Sequence, residues 1–337
     1  MRRIVCGLSL LLLGTATVPA PGYAQAEVPR RDRVRLAEAM RLADKLGDDI
    51  WPGWSHTSFP VLLVTDSVEF LIGHSEPSAD FARLGYDSLL AREVRTRPRQ
   101  FPPTLLATFP AVSGKPTIVI GSAERTGKSS TAWVLTLLHE HFHQWQSSQP
   151  GYYAGVARLD LAHGDTTGQW MLDYAFPYDS APVQQAVRGL AIALGQALDA
   201  PPGGRSSALK KVVSARDRLR GLLTVADYRY FEFQLWQEGV ARFIEYAAAQ
   251  AAARESPRPA AEFEGLADYE PYSAAVAEAR RSLRRELEQL VLGRQRRIAF
   301  YPIGAATALL LEETRPGWKR AYSERPFELA ALLSASR

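Results

Sequence analysis

"SSTAWVLTLLHEHFHQWQSSQPG", residues 129–151, carries three of the chain's six histidines within five positions. Its secondary structure decides the chemistry. On a strand, His139, His141 and His143 would share one face; on a helix, His139 and His143 share a face and His141 points away. Apolar residues fall at Val134, Leu137, Leu138, Phe142 and Trp145, close to helical spacing. Ser129 or Ser130 suits a helix start, and Pro150-Gly151 suits its end. The spacing predicts a helix over 129–147 with His139 and His143 paired.

Outward from this helix, the chain divides in texture. Residues 31–48 read as an amphipathic helix whose buried side holds Leu36, Met40, Leu42 and Leu46. Between Trp51 and Ser122 lie short β-rich runs: VLLVT (61–65), EFLIG (69–73), LLATF (105–109) and PTIVIGS (116–122). They imply a small sheet. "ADFARLGYDSLLAREV", 79–94, reads as part helical. Beyond Ser122, helices are expected at 182–199, 206–223, 226–254, 272–293 and 303–313, with a loop by composition at 255–271. The fold class is therefore α+β: a β-rich part (27–125), then a helical part (126–337) with an insertion at 150–225.

The N-terminus reads as an export signal. Arg2 and Arg3 precede an apolar run ending at Leu13, and Ala24-Gln25-Ala26 forms an A-x-A cleavage site, so residues 1–26 are expected to be a signal peptide of a periplasmic or secreted protein. The apolar run is too short to span a membrane. Cys6, the single cysteine, precedes the run and follows Val5, which argues against a lipoprotein anchor. Cleavage would leave 337 − 26 = 311 residues and remove two arginines, taking net charge from +4 to +2. That charge, without a concentrated basic block, excludes a nucleic-acid partner. A chain of this length buries enough core to need no disulfides.

"GSAERTGKSS" follows a strand and opens a helix, as a phosphate-binding loop does. That loop needs four residues between its glycines, and Gly121 and Gly127 are separated by five. Gly127 and Ser129-Ser130 are read as a turn and a helix cap.

His139-Glu140-His141-Phe142-His143 is H-E-x-x-H. One helical turn brings His139 and His143 side by side, so that both reach one Zn²⁺. Glu140 is free to act as a general base toward water activated by the metal. A catalytic zinc takes three protein ligands, so a third must come from elsewhere. The best candidate is Glu238 in "LWQEGVARFIEY", 235–246.

With both segments in hand, the chain resembles the gluzincin metallopeptidases, the thermolysin and aminopeptidase-like clan. In the aminopeptidase branch H-E-x-x-H is followed by a W-x-x-E-G-x-A-x-[FY] stretch whose Glu is the third ligand. Trp236, Glu238, Gly239, Ala241 and Phe243 match it, with one residue fewer between Trp and Glu. The resemblance implies a zincin-like fold, zinc on His139, His143 and Glu238, Glu140 as general base, and peptide or protein substrates. It covers about 20 residues, and it departs from the pattern in two places. The separation from His143 to Glu238 is 238 − 143 = 95 residues, which requires an inserted helical segment. Arg242 stands where the clan often has an acid; Glu245, on the same face seven after Glu238, is expected to support a ligand histidine instead.

Members of the clan use a downstream Tyr or His to stabilise the oxyanion, which makes Tyr301 in "IAFYPIGAATALLLEE" (298–313) the candidate, ahead of Tyr246. Tyr152 and Tyr153 are expected to line the cleft. His141 is assigned a surface or supporting role. His56, His74 and His163 have no partner pattern; the acids of "LDLAHGDTTGQWMLDY" fit no calcium loop. "EARRSLRRELEQL" reads as a solvated helix face. Two rivals stand beside the hydrolase: a zincin-fold binding protein without proteolysis, and a cupin-like site using all three histidines on a strand, in which His141→Ala would lose the metal.

Overall fold

In the computed structural model, residues 26–254 and 259–334 are described. Most of residues 1–26, the expected signal peptide, therefore lies outside the described residues. The architecture is α+β: a six-stranded sheet followed by a mainly helical body.

The strands are β1 Val61–Val64, β2 Val68–Ile72, β3 Ala82–Asp87, β4 Arg92–Pro98, β5 Leu106–Val112 and β6 Lys115–Gly121. They run in the order β3-β4-β2-β1-β6-β5. β1 and β6 are parallel, Val61 opposite Ile118; every other neighbouring pair is antiparallel. Side chains alternate between faces, as period-2 geometry requires. Leu63, Phe70, Ile118 and Ile120 join the main core, whereas Leu62, Val64, Leu71 and Val119 join a smaller cluster on the other face.

The segment 79–94 is a correction. It is a hairpin, not a helix, because β3 and β4 pair from Ala82 opposite Thr96 to Asp87 opposite Arg92. β3 is only partly buried and its register with β4 shifts between Arg83 and Gly85, so the stretch carries no clean alternation. Beyond it on β4, buried Arg97 is satisfied by Glu69 (2.8 Å) and Asp80 (2.9 Å).

The helical expectations held closely. Helices occupy Arg30–Ile50, Ser130–Ser148, Ala181–Asp199, Arg205–Arg220, Tyr272–Glu288 and Phe300–Thr314. The expected helix at 226–254 is Val225–Gln234, a π turn at Leu235–Gly239, and Val240–Arg254. Within 255–271, the described residues include a short helix at Ala261–Glu264. Among the described residues no helix is long and apolar enough to cross a membrane.

The helix Ser130–Ser148 is buried on every side through most of its length, the mark of a core helix. Ser129 caps it by accepting from Ala132 N, and Gly151 turns the chain at φ 80°. Its start is tied to the first helix by fully buried Arg35, which donates to Ser130 Oγ (2.8 Å), Asp32 (3.0 Å) and Glu124 (2.8 Å). Upstream, Gly127 takes the left-handed conformation and Ser129 is the cap, the turn and cap chemistry read in place of a phosphate loop, while Ser122 caps a further short helix at Ala123–Thr126.

One close approach sets the site. A Cβ on Gly304 would lie 2.5 Å from Gly239 Cα and 2.8 Å from Leu235 O. Only paired glycines let the helix Phe300–Thr314 seat against the π turn. This contact brings Tyr301 to the turn that carries Glu238.

Candidate metal centre

His139, His143 and Glu238 converge, each offering a ligand atom within 4.8 Å of the others. The two Nε2 atoms are 3.2 Å apart, and Glu238 Oε2 lies 3.8 Å from His139 Nε2 and 3.5 Å from His143 Nε2. Tetrahedral zinc with bonds of about 2.0–2.2 Å places its ligand atoms roughly 3.3–3.6 Å apart. The observed spacings bracket that range, so the donor set fits the metal by size as well as by type.

The outer atoms set the direction of the inner ones. His139 Nδ1 donates to Glu245 Oε1 at 2.8 Å, and Arg242 holds the other Glu245 oxygen at 2.8 Å. Gln146 Nε2 donates to Trp236 O (3.1 Å) and Gln237 O (3.0 Å), so its Oε1 is the atom facing His143 Nδ1 at 2.7 Å. That makes His143 Nδ1 the protonated nitrogen and leaves Nε2 as a lone pair toward Glu238. Gln237 Nε2 also lies 3.1 Å from His143 Nδ1; the Gln146 contact governs, being shorter and fixed by two carbonyls. Those carbonyls belong to the π turn, where the widened coil frees groups that a regular helix would commit to its own next turn.

Electrostatics follow from burial and proximity. Burial alone pushes the His139 imidazolium down, but Glu238 and Glu245 outweigh it and raise its pKa to about 10. Burial pushes the Glu238 carboxyl up, and His139 and His143 hold it well below the usual carboxylate range. Burial likewise opposes ionisation of Glu245, but Arg242 and His139 bring it down to about 2. The pocket thus holds a proton between carboxylate and imidazole where a divalent cation would be equally well placed.

Glu140 is buried on the same helix, and its charge contributes to the raised His139 pKa. Its Oε2 lies 2.8 Å from Thr108 Oγ1, on β5. β5 is the edge strand of the sheet on the side of the histidine helix. Tyr301 lies in the first turn of its helix, its ring stacked 6.4 Å from that of His139. Burial and the Glu238 charge push its hydroxyl well above the ordinary value, so it stays protonated and able to donate.

Three expectations are corrected or excluded. The all-histidine strand site fails, because residues 130–148 are helical. His141 is not a surface residue: it is buried, stacked on Phe59 at 3.8 Å, and bonded to Gln144 at 2.9 Å. Tyr246 is bound by Gln250 and Arg280 instead of joining the triad. Tyr152 meets the site through Gln237 Oε1 (3.0 Å). Asp165 spends its carboxylate on Thr167 and Trp170 backbone N–H groups.

Sequence reasoning missed Thr108, Gln146 and Arg297. Arg297 Nη1 donates to Tyr301 Oη at 2.8 Å and lies 3.4 Å from Glu238 Oε1. No sequence signal marks it, because Arg297 lies in a 3-10 turn ahead of the helix that carries Tyr301.

Comparison with protein-family models found no match, and searches of curated proteins and of solved structures found no significant similarity. The functional reading therefore rests on the site itself and on the resemblance of two segments.

Proposed function

We propose that the chain is an exported zinc-dependent hydrolase of zincin-like fold that cleaves peptide bonds. The observation that carries this is the convergence of His139, His143 and Glu238 with Glu140 beside them on the same helix. Zinc, when bound, supplies Lewis-acid polarisation of the scissile carbonyl and an acidified water.

The chain's own groups supply the rest. Glu140, with Thr108 donating to its Oε2, takes the proton from the attacking water and passes it to the leaving amine. Tyr301, kept protonated, donates to the oxyanion. Edge strand β5, which pairs with no other strand on its outer side among the described residues, offers that side to an extended peptide. A metal site kept only for structure gains nothing from a general base at 140, which favours the hydrolase over a binding protein.

The test is zinc content of the purified protein by elemental mass spectrometry beside Glu238→Ala, followed by a peptide-library screen of wild type against Glu140→Gln. About one zinc per chain, lost in Glu238→Ala, with cleavage abolished in Glu140→Gln, supports the reading. A wild type that takes up no zinc on reconstitution sinks it.

A further inference from the structure

Arg297 is a half-buried cation, its side chain 18% exposed, at the edge of the candidate centre. Nη1 is engaged by Tyr301 and Glu238. Nε and Nη2 have no partner among the described residues, and neither is sealed from solvent. The guanidinium is held in place by the Tyr301 hydroxyl and lies over that ring at 5.4 Å. Its neighbour Arg296 is neutralised by Asp179 at 2.8 Å, but the carboxylate nearest Arg297 is Glu238, which the centre itself needs. With Glu238 committed to a metal, Arg297 is left a partly desolvated cation without a full counter-ion, and that state is costly unless an anion completes it.

The geometry points to Arg297 as the anchor for a carboxylate of the substrate, placed within about one residue of the scissile bond. This rests on the zinc reading above. An open guanidinium fork matches a carboxylate bidentately, in a way that a lysine cannot. Glu238 joins the two places: Oε2 faces the histidines and Oε1 faces Arg297, so anchor and metal are one carboxylate apart. The carboxylate has two sources, the chain end of a peptide or an acidic side chain, and both present the same group.

The test is calorimetric binding of succinate and of propionate to zinc-loaded wild type, R297Q and R297K, with zinc content measured on each sample. Succinate offers one carboxylate to each place, propionate only one. Wild type is expected to favour succinate by ~10–100-fold, the range for hydrogen bonds to charged groups. R297Q should erase that preference with zinc retained, and R297K should recover only part. Should R297Q lose zinc, R297K decides, since it keeps a cation beside Glu238. Competition by an N-acyl dipeptide with a free C-terminus, its amide, and an amide bearing an aspartate then separates the two sources; equal competition by all three overturns the anchor. Zinc-loaded wild type without a succinate preference, or R297Q that keeps it, overturns the inference and leaves the zinc site standing. A wild type that holds no zinc overturns both, and the metal analysis tells the cases apart.

Discussion

Two faces of one helix treat the same residue type in opposite ways. His139 and His143 face the π turn at Leu235–Gly239, where carboxylates surround them and the His139 pKa rises to about 10. His141, between them in sequence, faces Phe59 and Trp54, where no carboxylate compensates for burial and its pKa falls to about 4. Both are buried, so burial is not what separates them. What separates them is which groups the packing element brings: Glu238 and Glu245 on one side, aromatic rings on the other. A histidine cluster is therefore two environments, and each substitution below tests one against the other.

The largest effect is expected at Glu238, the proposed third ligand. Glu238→Ala should reduce zinc from about one per chain to near none, because two imidazoles do not hold a catalytic zinc. His141→Ala should leave zinc content unchanged, since its Nδ1 is bonded to Gln144 and its ring to Phe59. Elemental analysis of both variants checks this, and zinc loss in His141→Ala alone would reverse the assignment of the two faces.

Glu140→Gln comes next. It should keep zinc and lower peptide turnover by ~10²–10⁴-fold, the usual share of a general base. Retained turnover would place the proton transfer elsewhere. Glu245→Ala should weaken zinc binding by ~10–100-fold, as loss of an outer carboxylate on a ligand imidazole does, measured by chelator competition. It also leaves Arg242 with only Glu286, at 3.2 Å, so the variant needs a check of folding by circular dichroism.

How far these roles could be read beforehand depended on where the information lies. The histidine helix was legible because its apolar positions, serine cap and Pro-Gly stop all agree. Glu238 was legible through its Trp and Gly neighbours, and Glu245 through helical periodicity alone. Arg297 and Gln146 were not, because their roles come from the Gly239–Gly304 contact and the π turn, which are tertiary facts. The β3–β4 hairpin is hidden for a related reason: β3 is a partly buried edge strand whose register with β4 shifts between Arg83 and Gly85, so its apolar and polar residues do not alternate cleanly.

The pH response should also separate the faces. Zinc has to displace the proton that Glu238 and Glu245 retain on His139 up to a pKa of about 10, so zinc affinity should rise about tenfold per pH unit between pH 7 and that value for one proton displaced. Calorimetry in buffers of different ionisation enthalpy should report about one proton released. In the metal-free protein the sign is opposite. A raised histidine stabilises the fold fully below its ordinary 6.5, and that contribution disappears as pH rises through about 10. Glu245, lowered to about 2, stabilises the fold above its ordinary 4.5 and ceases to as pH falls through about 2.

The smallest effect, and the sharpest on the aromatic face, is His141→Phe. A phenyl ring can keep the stack on Phe59, but it leaves Gln144 Oε1 without its partner, while Gln144 Nε2 still donates to Pro60 O and Pro116 O. At pH 7 the variant should be less stable by ~1–3 kcal/mol, the cost of one buried orphan acceptor. Lowering the pH reverses the balance. His141 must stay neutral in the fold down to about 4, whereas in the unfolded chain it protonates near 6.5, so wild type loses stability as pH falls from 6.5 to 4 and the variant is spared that loss. Over the full window the loss amounts to roughly 3 kcal/mol, about the size of the orphan penalty. Urea melts of both proteins at pH 7 and pH 4.5 should therefore show the gap closing in acid, with zinc content equal throughout. A gap that is constant across that window would mean that His141 is not the neutral, aromatic-packed residue that distinguishes its face from the one carrying His139.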